Sequence, residues 1–223
     1  MNPMRDLLWH VIHSLPEGFW HGVTWLGDSG LLLPAAALIA LWLASSERTR
    51  ATAVLWCLVF GTASLAVLVS KLAFLGWGIG SARLNFTGIS GHTMLSAAIW
   101  PVALWLAASR GPHRLRVALA VAGWVLAAAI GLSRLAIYAH STSEVAAGYL
   151  LGVLTSASFL MLQRGLPHPV LRAPLVIVSL MLPMAILQPG DKAPTQGLLE
   201  VIAMRMSGAD RPFTRADLHE RPA

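Results

Sequence analysis

The chain has 223 residues, of which 56% are hydrophobic and only 12% charged, with a formal net charge of +6 and a mean hydropathy of +0.66. A soluble domain usually carries about 25% charged residues, so the composition excludes an ordinary aqueous globule and points to lipid as the solvent. The positive balance does not signal nucleic acid, because the basic residues form no dense cluster interleaved with aromatics, and the single cysteine, Cys57, excludes an intramolecular disulfide.

The first twenty residues include Arg5, Asp6, His10, His13, Pro16 and Glu17, which leave no apolar core for a cleavable leader. The piece "LLWHVIHSLPEGFWHGVTWLG" reads as an interfacial helix and turn, with His10, His13 and His21 as wet anchors. Six stretches free of Asp, Glu, Lys and Arg then follow, at 29–46, 51–70, 93–109, 117–133, 145–163 and 173–190. Each is long enough for a membrane-crossing helix, which takes about 17–25 residues. Pro174 and Pro183 predict a kink in the sixth. The tail from Asp191 is polar and Pro-rich; "GLLEVIAMRM" reads as a short surface helix and the rest as disordered. The expected organisation is an all-α polytopic membrane protein of about six helices in one bundle. It divides into an interfacial segment 1–23, a transmembrane domain 24–190 and a polar tail 191–223.

Loop charges orient it. The linkers 46–50, 110–116 and 164–172 carry Arg48, Arg50, Arg110, Arg114, Arg116, Arg164 and Arg172 against Glu47 alone, which makes that side cytoplasmic. The opposite linkers, 71–92 and 134–144, hold Lys71, Arg83 and Arg134, and also Ser90-Gly91-His92, His140 and Glu144. Ionisable groups at membrane depth are costly and tend to be functional. Between Glu47 and Asp191 the sole acid is Glu144. One carboxylate supplies a Mg²⁺ or Ca²⁺ site poorly. Two histidines and a glutamate are a conceivable Zn²⁺ set, but the three cations beside them repel a metal and attract an anion.

At a membrane mouth that anion is a phosphate headgroup. Arginine forks suit phosphate oxygens, Lys71 adds a point charge, and Ser90 with the amides of Gly91 and His92 opens a helix toward it. Without a metal, a neutral histidine attacks phosphorus and a second, protonated one supplies the leaving group's proton. A helical His140 and Glu144 share a face at i, i+4, which fits His140 as nucleophile oriented by Glu144, and His92 as the acid. Ser141-x-x-Glu144 is also a plain capping box. The segment "GYLLG", with Gly148 and Gly152, is a helix-packing pattern, and "GWGIG" at 76–80 reads as a flexible loop.

The "SGH" motif, followed by "SR-x5-H" and an acid four residues later, resembles the type-2 phosphatidic acid phosphatase family of integral-membrane lipid phosphatases. The resemblance covers residues 24–187. It implies a phosphohistidine on His140, positioned by Glu144, with His92 protonating the leaving group. Lys71, Ser90, Gly91 and Arg134 then bind phosphate, with no metal or other cofactor. The family's first motif is K-x6-R-P, whereas here Gly78 stands seven residues after Lys71 and Arg83 comes later, the candidate substitute. Ile89 replaces the proline before S-G-H, and Glu144 replaces aspartate. The expectation is hydrolysis of a lipid phosphate monoester or pyrophosphate at the outer leaflet, in a bacterial cell the periplasmic face of the inner membrane. The rival reading is a non-catalytic lipid or anion transporter with a phosphate-binding mouth.

Overall fold

The computed structural model describes residues 14–169, 173–186 and 195–220; His10, His13 and the end of the sixth stretch at 187–190 lie outside them. The described helices are α1 (Glu17–Trp25), α2 (Ser29–Ala44), α3 (Arg50–Trp77), α4 (Gly91–Ala107), α5 (His113–Ala136), α6 (Thr142–Leu162), α7 (Ala173–Ile186), α8 (Thr195–Ser207) and α9 (Arg215–Glu220). Among the described residues no strand forms; the one β-bridge joins Ser81 to Phe86.

Each of the six apolar stretches becomes a helix, and the ends follow local signals. Asp28 caps α2 by accepting from the Gly30 amide at 2.7 Å. Gly78 ends α3 in the left-handed region, φ 64°, where a side chain would be strained. Thus α3 runs beyond its predicted end at 70 and carries Lys71 inside the helix. Four segments, Glu17–Ala44, Glu47–Trp77, His113–Ala136 and Thr142–Gly165, are long and apolar enough to cross a membrane, and Gly91–Ala107 and Ala173–Leu182 are shorter apolar helices.

The centre of the bundle is α4, which buries residues on every face, among them Met94, Ile99, Val102 and Leu106. It packs chiefly on α5 and α6. Glycines permit this closeness: a Cβ on Gly148 would stand 2.6 Å from the Ser90 carbonyl oxygen, and one on Gly152 2.5 Å from that of Met94. The small-residue pattern therefore clamps α6 to the first turns of α4. Glu144 lies one turn before Gly148, so the same contact brings it beside Ser90. Buried hydroxyls and indoles satisfy one another. Trp124 Nε1 donates to Ser156 Oγ at 2.9 Å, and Ser156 Oγ donates to the Ala97 carbonyl at 2.8 Å. Outer faces keep Leu41, Leu58, Val125 and Leu150 exposed, as lipid contact requires.

The tail departs from expectation. Rather than being disordered after a surface helix, residues 195–220 dock on the bundle. Helix α8 packs along α3, the Phe213 amide donates to the Leu75 carbonyl at 2.9 Å, and Phe74, Leu75, Ala203 and Leu218 bury a second apolar cluster. Polar composition hid this because only a few apolar side chains form the seam.

Candidate active site

The ends of α3, α5 and the beginnings of α2, α4 and α6 meet at one end of the bundle. His140 precedes α6 rather than lying in it. Helix α5 closes with the Arg134 carbonyl accepting from the Ala139 amide at 3.0 Å and from the His140 amide at 3.3 Å, across a turn in which Tyr138 has φ 55°. A positive φ at a tyrosine is uncommon, and here it reverses the chain so that His140 faces the site. Ser141 then caps α6, and Glu144 folds back to complete a capping box. The same fold-back sets Glu144 Oε2 2.8 Å from His140 Nδ1 and 3.0 Å from the Ser141 amide. The two readings of Ser141 and Glu144 are therefore one structure. The cap, not an i, i+4 helical face, makes the pair.

Glu144 is fully buried and its oxygens are heavily engaged. Oε1 accepts from the Thr87 amide at 2.8 Å and the Thr87 hydroxyl at 2.6 Å. Arg215, from α9, donates Nη2 to both carboxylate oxygens at 2.9 and 3.0 Å, and its Nη1 holds the Asn85 carbonyl at 2.7 Å. Such a donor set keeps the carboxylate charged at depth. For His140, burial holds the imidazole below its ordinary pKa, and the positive charges of Arg134 and Lys71 push the same way. The hydrogen bond and charge of Glu144 oppose this without overturning it. The ring is therefore neutral near pH 7, with Nδ1 on the carboxylate.

His92, in the first turn of α4, has an acidic partner of its own: its Nε2 lies 3.4 Å from Asp28 Oδ2. Both histidines lie within electrostatic range of Arg134 and of each other. Arg134 donates Nη1 to Thr24 Oγ1 at 2.8 Å, while its buried Nε has no acceptor. Lys71 sits against the same helix opening: a Cβ on Gly91 would be 3.9 Å from its Nζ, and Gly88 lies directly on its backbone. Ser70 Oγ accepts from the Ile89 amide at 3.1 Å, pinning the loop that enters the S-G-H turn. Ser90 is fully buried, its hydroxyl 2.9 Å from Thr93 Oγ1 and its amide on the Glu144 carbonyl at 3.2 Å. The following amides of Gly91 and His92 are among those that a helix's first turn leaves unpaired.

The structure thus gathers Lys71, Ser90, Gly91, His92, Arg134, His140 and Glu144. Arg83 stands apart, exposed on the turn between Ser81 and Phe86. Sequence reasoning missed four neighbours: Asp28, Thr24, Thr87 and Arg215. Only Asp28 had a readable signal, as an N-cap residue immediately before the first apolar run. Among the described residues no three His, Cys, Asp or Glu side chains are grouped to hold a metal ion.

Comparison with known proteins covers most of this constellation. Residues 74–166 match the model of the PAP2 superfamily, a span that includes both histidines, Arg134 and Glu144 but not Asp28, Lys71 or Arg215. A Klebsiella pneumoniae protein named "Uncharacterized 22.5 kDa protein in cps region" is 47% identical over 205 residues, 91% of this chain and 98% of its own. Phosphatidylglycerophosphatase B of Bacillus subtilis (strain 168) is 32% identical over 146 residues, 60% of this chain and 68% of its own. No solved structure matches the chain significantly. The chain belongs to the PAP2 superfamily, the type-2 phosphatidic acid phosphatases.

Proposed function

We propose that the chain hydrolyses a lipid phosphate monoester or pyrophosphate through a phosphohistidine on His140, at the outer face of the membrane. The observation that carries this reading is the 2.8 Å contact between His140 Nδ1 and Glu144 Oε2. It fixes the tautomer with the proton on Nδ1 and leaves the Nε2 lone pair for attack. Nε2 bonds to phosphorus as the P–O bond to the lipid alcohol or phosphate breaks, and His92 gives the departing oxygen its proton. Water then attacks the phosphohistidine, the N–P bond breaks, and His92 takes the water's proton, which restores both rings. Lys71, the free Nε of Arg134 and the amides of Gly91 and His92 stabilise the charge spreading over the equatorial oxygens. Asp28 gives His92 an acidic partner, much as Glu144 serves His140.

The arginine-rich linkers on the far side favour an outward-facing site. The superfamily and the phosphatidylglycerophosphatase relative support a lipid phosphate as substrate, and the exposed apolar helix faces offer acyl or prenyl chains a place beside it. The test is phosphate release by purified protein in detergent with excess EDTA, across phosphatidic acid, phosphatidylglycerol phosphate, undecaprenyl pyrophosphate and lipid A phosphate. Release by wild type that is lost in both His140→Ala and His92→Ala supports the proposal. Equal absence of release from wild type and variants favours the transporter reading, and release that EDTA abolishes and Zn²⁺ restores assigns the histidines to a metal.

A further inference from the structure

At the other end of the bundle lies a second cluster that the proposed chemistry does not use. Arg116 and Arg134 are eighteen residues apart on α5, so about 27 Å of helix separates the two ends. There, the start of α5 and the end of α6 enclose a cavity of about 300 Å³ lined by Trp105, His113, Arg116, Gln163, Arg164 and His168. No acidic residue lines it. Three of its buried polar atoms have no partner: the Trp105 indole N–H, the Arg116 Nε–H and the Gln163 side-chain Oε1. Trp105 and Gln163 are 6% and 4% exposed, so water does not readily satisfy them. A buried polar group left without a partner is destabilising, and two such donors with one such acceptor in one cavity are an arrangement that a ligand resolves.

The remaining geometry points the same way. The Arg116 guanidinium lies 4.7 Å over the Trp105 ring, which holds its plane fixed. Its Nη1 is 2.7 Å from His168 Nε2, and that nitrogen is also 3.1 Å from the Ser109 carbonyl. One ring nitrogen cannot accept from the arginine and donate to the carbonyl together. An anion drawing the arginine to itself frees His168 Nε2 to donate to Ser109.

We infer that this cavity is a binding site for a phosphate group, held by Arg116, Arg164 and the Trp105 indole N–H, with Gln163 Oε1 accepting from a hydroxyl of the same ligand. Arginine forks and an indole donor suit phosphate oxygens, and a monohydrogen phosphate or a glycerol headgroup carries the hydroxyl. The source is either an anionic lipid of that leaflet or a soluble phosphate. Neither the site nor its ligand depends on hydrolysis at His140.

Hydrogen exchange on the full chain tests this, because it reports where binding occurs. In detergent, inorganic phosphate is titrated against chloride at equal ionic strength. In nanodiscs without phosphate, phosphatidylglycerol is compared with phosphatidylcholine. The expected result is slowed exchange at the Ser109–Arg116 and Gln163–His168 amides. It identifies a lipid headgroup if phosphatidylglycerol alone produces it, and the bare phosphate group if inorganic phosphate does so as well. Arg164→Gln, an exposed change at the rim, weakens the protection about tenfold, as loss of one charge-assisted hydrogen bond implies. Trp105→Phe keeps the ring beneath Arg116 but deletes the indole donor, and weakens it too. Absence of protection with either probe, or protection unchanged in both variants, overturns the assignment.

Discussion

Removing Arg215 is the most informative perturbation, because it lies beyond the residues that match the superfamily model and yet touches the centre of the site. In Arg215→Met the fully buried Glu144 loses two hydrogen bonds from Nη2, at 2.9 and 3.0 Å. Breaking a fully buried ion pair by removing one partner costs about 3–5 kcal/mol. Two features reduce that figure here. The Arg215 side chain is 37% exposed, so solvent screens part of the interaction, and Glu144 keeps donors from Thr87, Ser141 and His140. We expect a loss of about 1–2 kcal/mol, seen as a Tm lower by about 2–8 °C in detergent. In the proposed mechanism Arg215 positions Glu144, which in turn positions His140, so its removal acts on the chemical step. The kcat for lipid phosphate release falls about tenfold for each 1.4 kcal/mol of lost positioning, with KM little changed. Arg211→Met is the control. It breaks the exposed pair with Asp217 at 2.6 Å, which solvent screens, and leaves kcat near wild type. Wild-type Tm and kcat in Arg215→Met would show that the tail does not hold the carboxylate.

The acid limb of the pH profile follows from His140. Attack needs the neutral ring, so activity falls as pH drops through its pKa; burial lowers that pKa, which places the limb below the ordinary imidazole range. Glu144→Gln removes a charge that raises it, so the residual activity of that variant has its limb displaced further toward acid, and a shift toward alkali would contradict the pairing. Asp28→Asn, whose Oδ2 lies 3.4 Å from His92 Nε2, lowers kcat about tenfold or more, the usual scale of a general acid's contribution being 10²–10⁴. Single-turnover kinetics then shows slower leaving-group departure with unchanged substrate binding. Gly148→Ala sets a methyl 2.6 Å from the Ser90 carbonyl oxygen, and costs about 1–3 kcal/mol by overpacking. A Tm fall accompanied by lost activity is expected, since the same contact seats Glu144 beside the S-G-H turn.

Much of this was legible because the membrane writes long, contiguous signals. Uncharged apolar runs marked all six helical stretches, and the cost of ionisable groups at depth singled out His92, Arg134, His140 and Glu144. Glycine spacing in "GYLLG" marked a helix-packing face, though not that α4 would be the helix packed on it. What escaped was long-range and held by few residues. Thr87 and Arg215 reach Glu144 across sequence separations of 57 and 71, and nothing local in a polar tail marks one arginine among several. Asp28 was readable as a helix cap, but its approach to His92 depends on how α2 and α4 are packed. "GWGIG" was read as flexible, whereas Gly78 ends α3 in the left-handed conformation, φ 64°, and the chain turns there toward the loop that carries Thr87.

Charge accounting at the site shows why these missed residues matter. Sequence alone placed three cations, Lys71, Arg83 and Arg134, around a single carboxylate. The structure leaves Arg83 on an exposed turn and brings in Arg215, and with Asp28 it sets three cations against two carboxylates. Each histidine then has a carboxylate and an arginine of its own: His140 with Glu144 and Arg215, and His92 with Asp28, which lies within electrostatic range of Arg134. Lys71 makes no ion pair among the described residues and stands at the opening of α4, where unpaired amides add to its field. A buried site so arranged keeps both rings oriented without neutralising the position between them. In the proposed function the excess of one positive charge attracts a phosphate, and Lys71, in contact with no carboxylate among the described residues, is the cation that meets it.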